Sequence, residues 1–158
     1  MKRILVFSDS HGRTENMKNK LTQIPGITHV LFLGDCLRDI GPIKQSSPDI
    51  VFFSVPGNND FGSLLPDERI VEIDGVRIFL THGHKYGVKG TYDRIFYRTK
   101  ECQCQIGLFG HTHCAVKQQE DGILLLNPGS ISLPYRGTPS YGIIEIENGS
   151  ASADILYC

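Results

Sequence analysis

Five short apolar runs in this chain each break off into a tight cluster of Asp, Asn, His and Gly. The clusters are Asp9-Ser10-His11, Gly34-Asp35, Gly57-Asn58-Asn59-Asp60, His82-Gly83-His84 and Gly110-His111-Thr112-His113. Each falls just after a strand-like run. In open α/β sheets the strand ends on one side form the ligand crevice, so clusters far apart in sequence can converge in space.

The runs themselves set the fold class. Residues 2–7, 29–33 and 50–55 read as buried strands, bounded by polar turn residues. Between the first two, Met17, Leu21 and Ile24 recur at helical spacing over residues 14–24, with Thr14 as N-cap. A short helix is expected near Pro42, because proline suits a first helical position. Further on, Asp74-Gly75 separates two strand-like runs at 69–73 and 76–81, a hairpin signal since Gly accepts positive φ cheaply. A helix is expected over 91–100 and a buried strand over 105–109. Asp121-Gly122 and Asn148-Gly149 mark two more hairpins. The first third is thus βαβ-like with parallel strands, and the rest is rich in antiparallel hairpins. The expected fold is α/β, two packed sheets with helices outside, in one domain over residues 1–158.

Composition narrows the functional classes. Hydrophobic residues make up 40% and charged residues 21%, enough for a packed core, and the net charge of −1 argues against duplex DNA. No polybasic run suggests a membrane surface. The apolar stretch at the N-terminus is too short for a signal segment or a span, so a cytoplasmic location is expected. Cys36, Cys102, Cys104, Cys114 and Cys158 are odd in number and scattered, which fits free thiols in a reducing compartment. Cys102-x-Cys104 with Cys114 is a poor zinc pattern, lacking both the usual C-x-x-C spacing and a second pair.

The chemistry lies in the clusters. Taken singly, each has an ordinary reading: Asp-x-His as a turn pair, Gly-Asn-Asn-Asp as a turn, His82 or His84 as a satisfied half-buried histidine. Taken together they hold five of the six histidines, leaving only His29, which reads as a strand-edge residue. Carboxylate with imidazole suits Zn, Mn, Fe, Co or Ni better than Ca or Mg. In Asp-x-His and His-x-His, alternate side chains on an extended strand end would share a face. Adjacent glycines let the backbone turn sharply. Spacing alone does not decide between His82 and His84 as a ligand.

The order Asp9-x-His11, Gly34-Asp35, Gly57-Asn58-x-Asp60, His82 and Gly110-His111-x-His113 resembles the calcineurin-like metallophosphoesterases. Gly34-Asp35-Cys36 and Asn127-Pro128-Gly129-Ser130 are similar to the small bacterial and archaeal phosphodiesterase branch, which is related to the retromer small subunit. The resemblance implies a two-sheet sandwich flanked by helices and two divalent metal ions, manganese first, with Zn, Ni, Fe or Co as alternatives. It implies Asp9, His11, Asp35 and His113 on one ion, and Asp35, Asn58, His82 and His111 on the other, with Asp35 the bridge. Two such ions, about 3.5–4 Å apart, share a hydroxide for in-line attack on phosphorus.

Charge and one departure refine this. Two dications, two carboxylates and a hydroxide leave a single positive charge, which a diester monoanion neutralises and a monoester dianion overshoots. Lys85, Lys89 or Arg136 nearby could reverse that preference. Many members of the superfamily carry a histidine where Asn59 stands here. An amide can hydrogen-bond a phosphoryl oxygen but supplies no proton at neutral pH. The expected activity is therefore a phosphodiesterase favouring good leaving groups, with Asn59 and His84 as substrate-side residues. The loop from Gly83 to Gly90 reads as a solvated turn with a possible covering role, and Leu133-Pro134-Tyr135 with Arg136 as a surface for homo-oligomer contact. The expected partner is a small phosphodiester, with no duplex nucleic acid and no membrane. The competing class is a metal-binding scaffold with little catalysis, as in the retromer subunit.

Overall fold

The computed structural model describes all residues 1–158. Ten strands form two five-stranded mixed sheets. The first has the order β10-β9-β1-β2-β3, from Ser150–Tyr157, Ser140–Glu147, Lys2–Phe7, Ile27–Phe32 and Val51–Ser54. The second has the order β4-β5-β6-β8-β7, from Glu68–Ile73, Val76–Thr81, Ile106–Leu108, Ile123–Pro128 and Ala115–Glu120. Helices α1 (Glu15–Gln23), α2 (Ile40–Gln45) and α3 (Asp93–Glu101), with two 3-10 turns at Leu37–Asp39 and His84–Tyr86, complete the element set.

The doubly apolar strands show why the sheets stack as they do. Along β1, Ile4 and Val6 face the other sheet, where they join Ile78, Leu80, Ile106, Leu108 and Leu126 in the central core. Their neighbours Leu5 and Phe7 face the other way and pack with Met17 of α1 and Ile40 and Ile43 of α2. The outer face of the second sheet buries Phe79, Phe109 and Leu125 against Ile95 and Phe96 of α3. Strand periodicity of two thus feeds three cores, one between the sheets and one on each outer face, and each fully buried aliphatic or aromatic side chain contributes about 1.5–3 kcal/mol.

Most expected elements stand where the pattern placed them. The three hairpin turns carry left-handed pairs at Asp74 (φ 48) and Gly75 (φ 81), Asp121 (φ 49) and Gly122 (φ 76), and Asn148 (φ 51) and Gly149 (φ 77). Three details differ. Thr14 stands at the N-cap position of α1, as expected, but makes no side-chain capping bond. Pro42 is the third residue of α2, because a 3-10 turn over Leu37–Asp39 leads into the helix. His29 lies on β2, an inner strand between β1 and β3, where its ring stacks on Phe53. The second sheet is also less antiparallel than the hairpins suggested, since β5-β6 and β6-β8 pair in parallel. Those pairings join strands separated by α3 or by β7, which local turn chemistry does not encode.

Candidate metal centre

The five strands that precede the clusters are β1, β2 and β3 of one sheet and β5 and β6 of the other, mutually parallel within each sheet. Their C-terminal ends deliver the clusters to one place. Nε2 of His11 lies 3.3 Å from Nε2 of His113, which is 3.3 Å from Oδ1 of Asp9. Oδ2 of Asp35 is 3.6 Å from Nε2 of His11, while its Oδ1 is 3.6 Å from Nε2 of His82. Oδ1 of Asn58 is 3.1 Å from that same His82 nitrogen, and the His111 ring centroid lies 5.2 Å from that of His82. Asp35 therefore turns one oxygen to each half of the cluster.

The cluster is built almost wholly of acceptors. A carbonyl can only accept, so Nδ1 of His82 donates to Leu33 O at 2.6 Å, and Nδ1 of His113 donates to Leu133 O at 2.6 Å. Each neutral ring then presents a bare Nε2 lone pair inward. Oδ1 of Asp9 is buried and accepts no well-formed hydrogen bond. Two buried carboxylates, two imidazole lone pairs and an amide oxygen converge, and the donors that reach the carboxylates, Ser8 and the His111 amide on Oδ2 of Asp9 and Asn59 on Asp35, leave Oδ1 of Asp9 unserved. Such an arrangement is costly unless cations occupy it, and this donor set fits divalent transition metals. Asp9, His11, Asp35 and His113 by themselves place one ligand atom each within 4.8 Å of one another.

Electrostatics follow the same logic. Burial pushes the Asp9 carboxyl pKa up, but pairing with His113, the field of His82 and the Ser8 hydroxyl outweigh it and hold the value below the usual carboxylate range. His113 is raised, because its pairing with Asp9 exceeds the opposing effect of burial. His111 is lowered to about 4 by burial, with His82 and Lys89 adding repulsion.

The geometry that aims these side chains is not the extended strand end expected above. Asp9 (φ 55), His11 (φ 47), Asp35 (φ 60), His111 (φ 68) and His113 (φ 56) all lie in the left-handed region. The strands have already ended, and consecutive turns, not the pleat, direct the side chains. Five non-glycine residues in that region mark a strained site that its surroundings must hold.

That support comes from residues the sequence reading gave no role. Asp60 accepts backbone N–H bonds from Asp35 (2.9 Å), Cys36 (2.9 Å), Leu37 (2.8 Å) and Gly57 (2.8 Å), locking two loops together. A Cβ at Gly57 would overlap Oδ1 and the amide nitrogen of Asp35, so only glycine fits there. Ser8 donates to Oδ2 of Asp9 at 2.6 Å, and Ser10 and the Gly12 amide donate to buried Asp39. Asn127 donates to Gly110 O at 2.9 Å, and Ser130 to Asp9 O at 2.8 Å. The Asn127-Pro128-Gly129-Ser130 segment thus braces two clusters at once. Its signal was visible as a motif, but its partners lie far away in sequence.

The two residues expected on the substrate side differ in placement. Asn59 donates its backbone N–H (2.9 Å) and its side-chain amide (2.8 Å) to the two oxygens of Asp35. His84 opens a 3-10 turn over His84–Tyr86, with its ring centroid 5.4 Å from His82 and 6.1 Å from His111 and its Nδ1 unpartnered. In the same loop, Lys85 pairs with Asp67 and Tyr86 bonds Glu68, which anchors it to the segment leading into β4. Lys89 has no ion-pair partner, and the Arg136 guanidinium rests 5.6 Å from the Tyr135 ring. All five cysteines are free, and Cys102, Cys104 and Cys114 form no metal-ligating group. No helix is long and apolar enough to cross a membrane.

A family model described as the calcineurin-like phosphoesterase superfamily domain matches residues 1–149. The chain belongs to that superfamily. Phosphodiesterase YfcE of Escherichia coli K12 is 37% identical over 172 aligned positions, covering 92% of this chain and 88% of the relative. A conserved Streptococcus pneumoniae protein of predicted phosphoesterase class has the same fold, with a TM-score of 0.83 at 31% identity over 99% of this chain and 89% of that one. Vps29 of Entamoeba histolytica complexed with zinc shares the fold at a TM-score of 0.79 and 22% identity, covering 98% of each chain. This calcineurin-like phosphoesterase therefore carries a buried Asp/His cluster suited to divalent metal.

Proposed function

We propose that the protein is a phosphodiesterase whose cluster holds two divalent ions, with manganese the first choice. Asp9, His11, Asp35 and His113 would hold one ion, and Asp35, Asn58, His82 and His111 the other. The observation that carries this reading is the convergence of acceptors around unpartnered Oδ1 of Asp9, with Asp35 dividing its two oxygens between the halves. Bound there, the ions supply Lewis-acid activation of water and neutralise charge on the phosphoryl oxygens.

The chain's own residues do the rest. Leu33 O and Leu133 O fix the tautomers of His82 and His113, so both are ready to bind metal without reorganising. Asn59 orients the shared carboxylate through two hydrogen bonds and can offer its remaining amide dipole, but no proton, to substrate. His84, whose ring lies beside those of His82 and His111, would contact the ester or its leaving group. With no other proton donor at Asn59, aryl and similarly acidic leaving groups are favoured.

Purified protein loaded with Mn should hydrolyse an aryl diester faster than an aryl monoester. Asp35→Asn should remove activity, and His84→Ala should slow poor leaving groups more than good ones. Metal uptake without turnover of either ester would instead favour a scaffold. One feature favours that second reading: Phe61 and Leu64 are 90% and 101% exposed on the loop after Asp60, an apolar surface beside the centre.

A further inference from the structure

Two clefts adjoin the metal centre. One, of about 630 Å³, includes His11, Arg38, Asn59 and Phe61. The other, of about 720 Å³, includes His111 and His113. They meet at the His11–His113 pair, whose Nε2 atoms are 3.3 Å apart. A phosphodiester has two arms on phosphorus, and the molecule offers a cleft on each side of the place where phosphorus would lie.

The two clefts differ in chemistry. Val88, Tyr92, Leu133, Pro134 and Tyr135 wall the larger one, and Lys89 is its lone formal charge. Tyr135 is 69% exposed and Leu133 38% exposed, so apolar surface stands in water directly beside the site. Their position relative to phosphorus is fixed, because His113 is bonded to both ends of that segment: its Nδ1 donates to Leu133 O, and its own carbonyl accepts from Tyr135 N at 3.0 Å. On the far wall, Tyr92 is held by Phe109, with ring centroids 5.2 Å apart. The smaller cleft has the unpaired guanidinium of Arg38 and the Asn59 amide, with the Asp60 carboxylate and exposed Phe61 also in its wall, so it is the more polar of the two.

We propose that the cleft lined by Tyr92, Leu133 and Tyr135 is a subsite for the arm that stays on phosphorus, making the preferred substrate a phosphodiester whose non-leaving group is an aryl or nucleobase-bearing group. The inference rests on the phosphodiesterase reading above for its reaction, and on the cleft alone for its binding. Stacking of one aromatic group on such a wall gives about a tenfold gain in affinity.

The test uses the full Mn-loaded chain and p-nitrophenyl diesters with methyl, phenyl or thymidine-5′ as the second group, so the leaving group stays constant. Phenyl and thymidine diesters should show KM about tenfold below the methyl diester. Tyr135→Ala should erase that difference in KM, and Tyr135→Phe should keep it. Leu133→Ala provides a second variant should Tyr135→Ala fold poorly. Phenyl phosphate added to metal-free protein should shift the NMR signals of Tyr92 and Leu133. Turnover of all diesters with no aromatic preference overturns the subsite and leaves the phosphodiesterase reading standing. No turnover of any diester overturns that reading, and the subsite then stands or falls on the NMR shifts. A change of mass in sedimentation for Tyr135→Ala, with selectivity unaltered, overturns the subsite and assigns this face to a subunit contact.

Discussion

Replacing Asp60 by Asn should damage the metal centre although Asp60 itself faces no ion. Its carboxylate serves four backbone amides, two on each oxygen: Cys36 and Leu37 on Oδ1, Asp35 and Gly57 on Oδ2. An amide keeps one acceptor oxygen and turns an N–H₂ toward the other pair. Two backbone donors then lose their acceptor, at about 1–3 kcal/mol each. The pair is half-buried and water relieves part of the cost, so a loss of about 3 kcal/mol is expected. For a chain of this size that lowers Tm by about 6–12 °C. Because the Asp35 amide is one of the four, the left-handed turn at Asp35 loosens, and ion affinity should fall by about 10–100-fold. Urea denaturation of chelated protein reads the first effect, and calorimetric Mn titration reads the second. Asp121→Asn, at an exposed hairpin turn where the carboxylate meets only the exposed Lys100, is the matched control and should stay within about 0.5 kcal/mol. If Asp60→Asn matches that control in stability and binds Mn within twofold of the parent, the amide clamp is not what holds the site.

Gly57→Ala should cost about 1–3 kcal/mol and abolish tight ion binding, because its Cβ would overlap Asp35. Gly41→Ala, with nothing within 4 Å of its Cβ in α2, should be neutral or stabilising by about 0.5–1 kcal/mol in the same melts. The raised pKa of His113, set by its pairing with Asp9, makes a proton at that ring a competitor of the ion. Mn affinity should therefore fall as pH drops through that raised value, which calorimetric Mn titrations across a pH series should show; an affinity flat with pH refutes that competition. In the metal-free fold, the His113 pairing stabilises fully below pH 6.5 and is lost as pH rises through the raised pKa. His111, held at about 4, acts oppositely, and its contribution is lost as pH falls from 6.5 toward 4. NMR titration should find His111 neutral until about pH 4.

What could be read from the chain alone was what depends on neighbours in sequence. Apolar runs announced β1, β2, β3 and β5, and Asp-Gly and Asn-Gly pairs announced all three hairpins, because strand burial and left-handed turns are local properties of residue type. The polar clusters announced their own ligand chemistry, since Asp and His side chains carry it wherever they stand. The tertiary structure alone decided how those parts meet. It set the parallel order β5-β6-β8, the left-handed backbone at five cluster residues, and the four amides gathered on Asp60. It also turned the Asn59 amide onto Asp35 and brought Leu133 and Tyr135 beside His113. Each of these joins groups from loops distant in the chain, and their positions come from the packing of two sheets across one core, which no local pattern records.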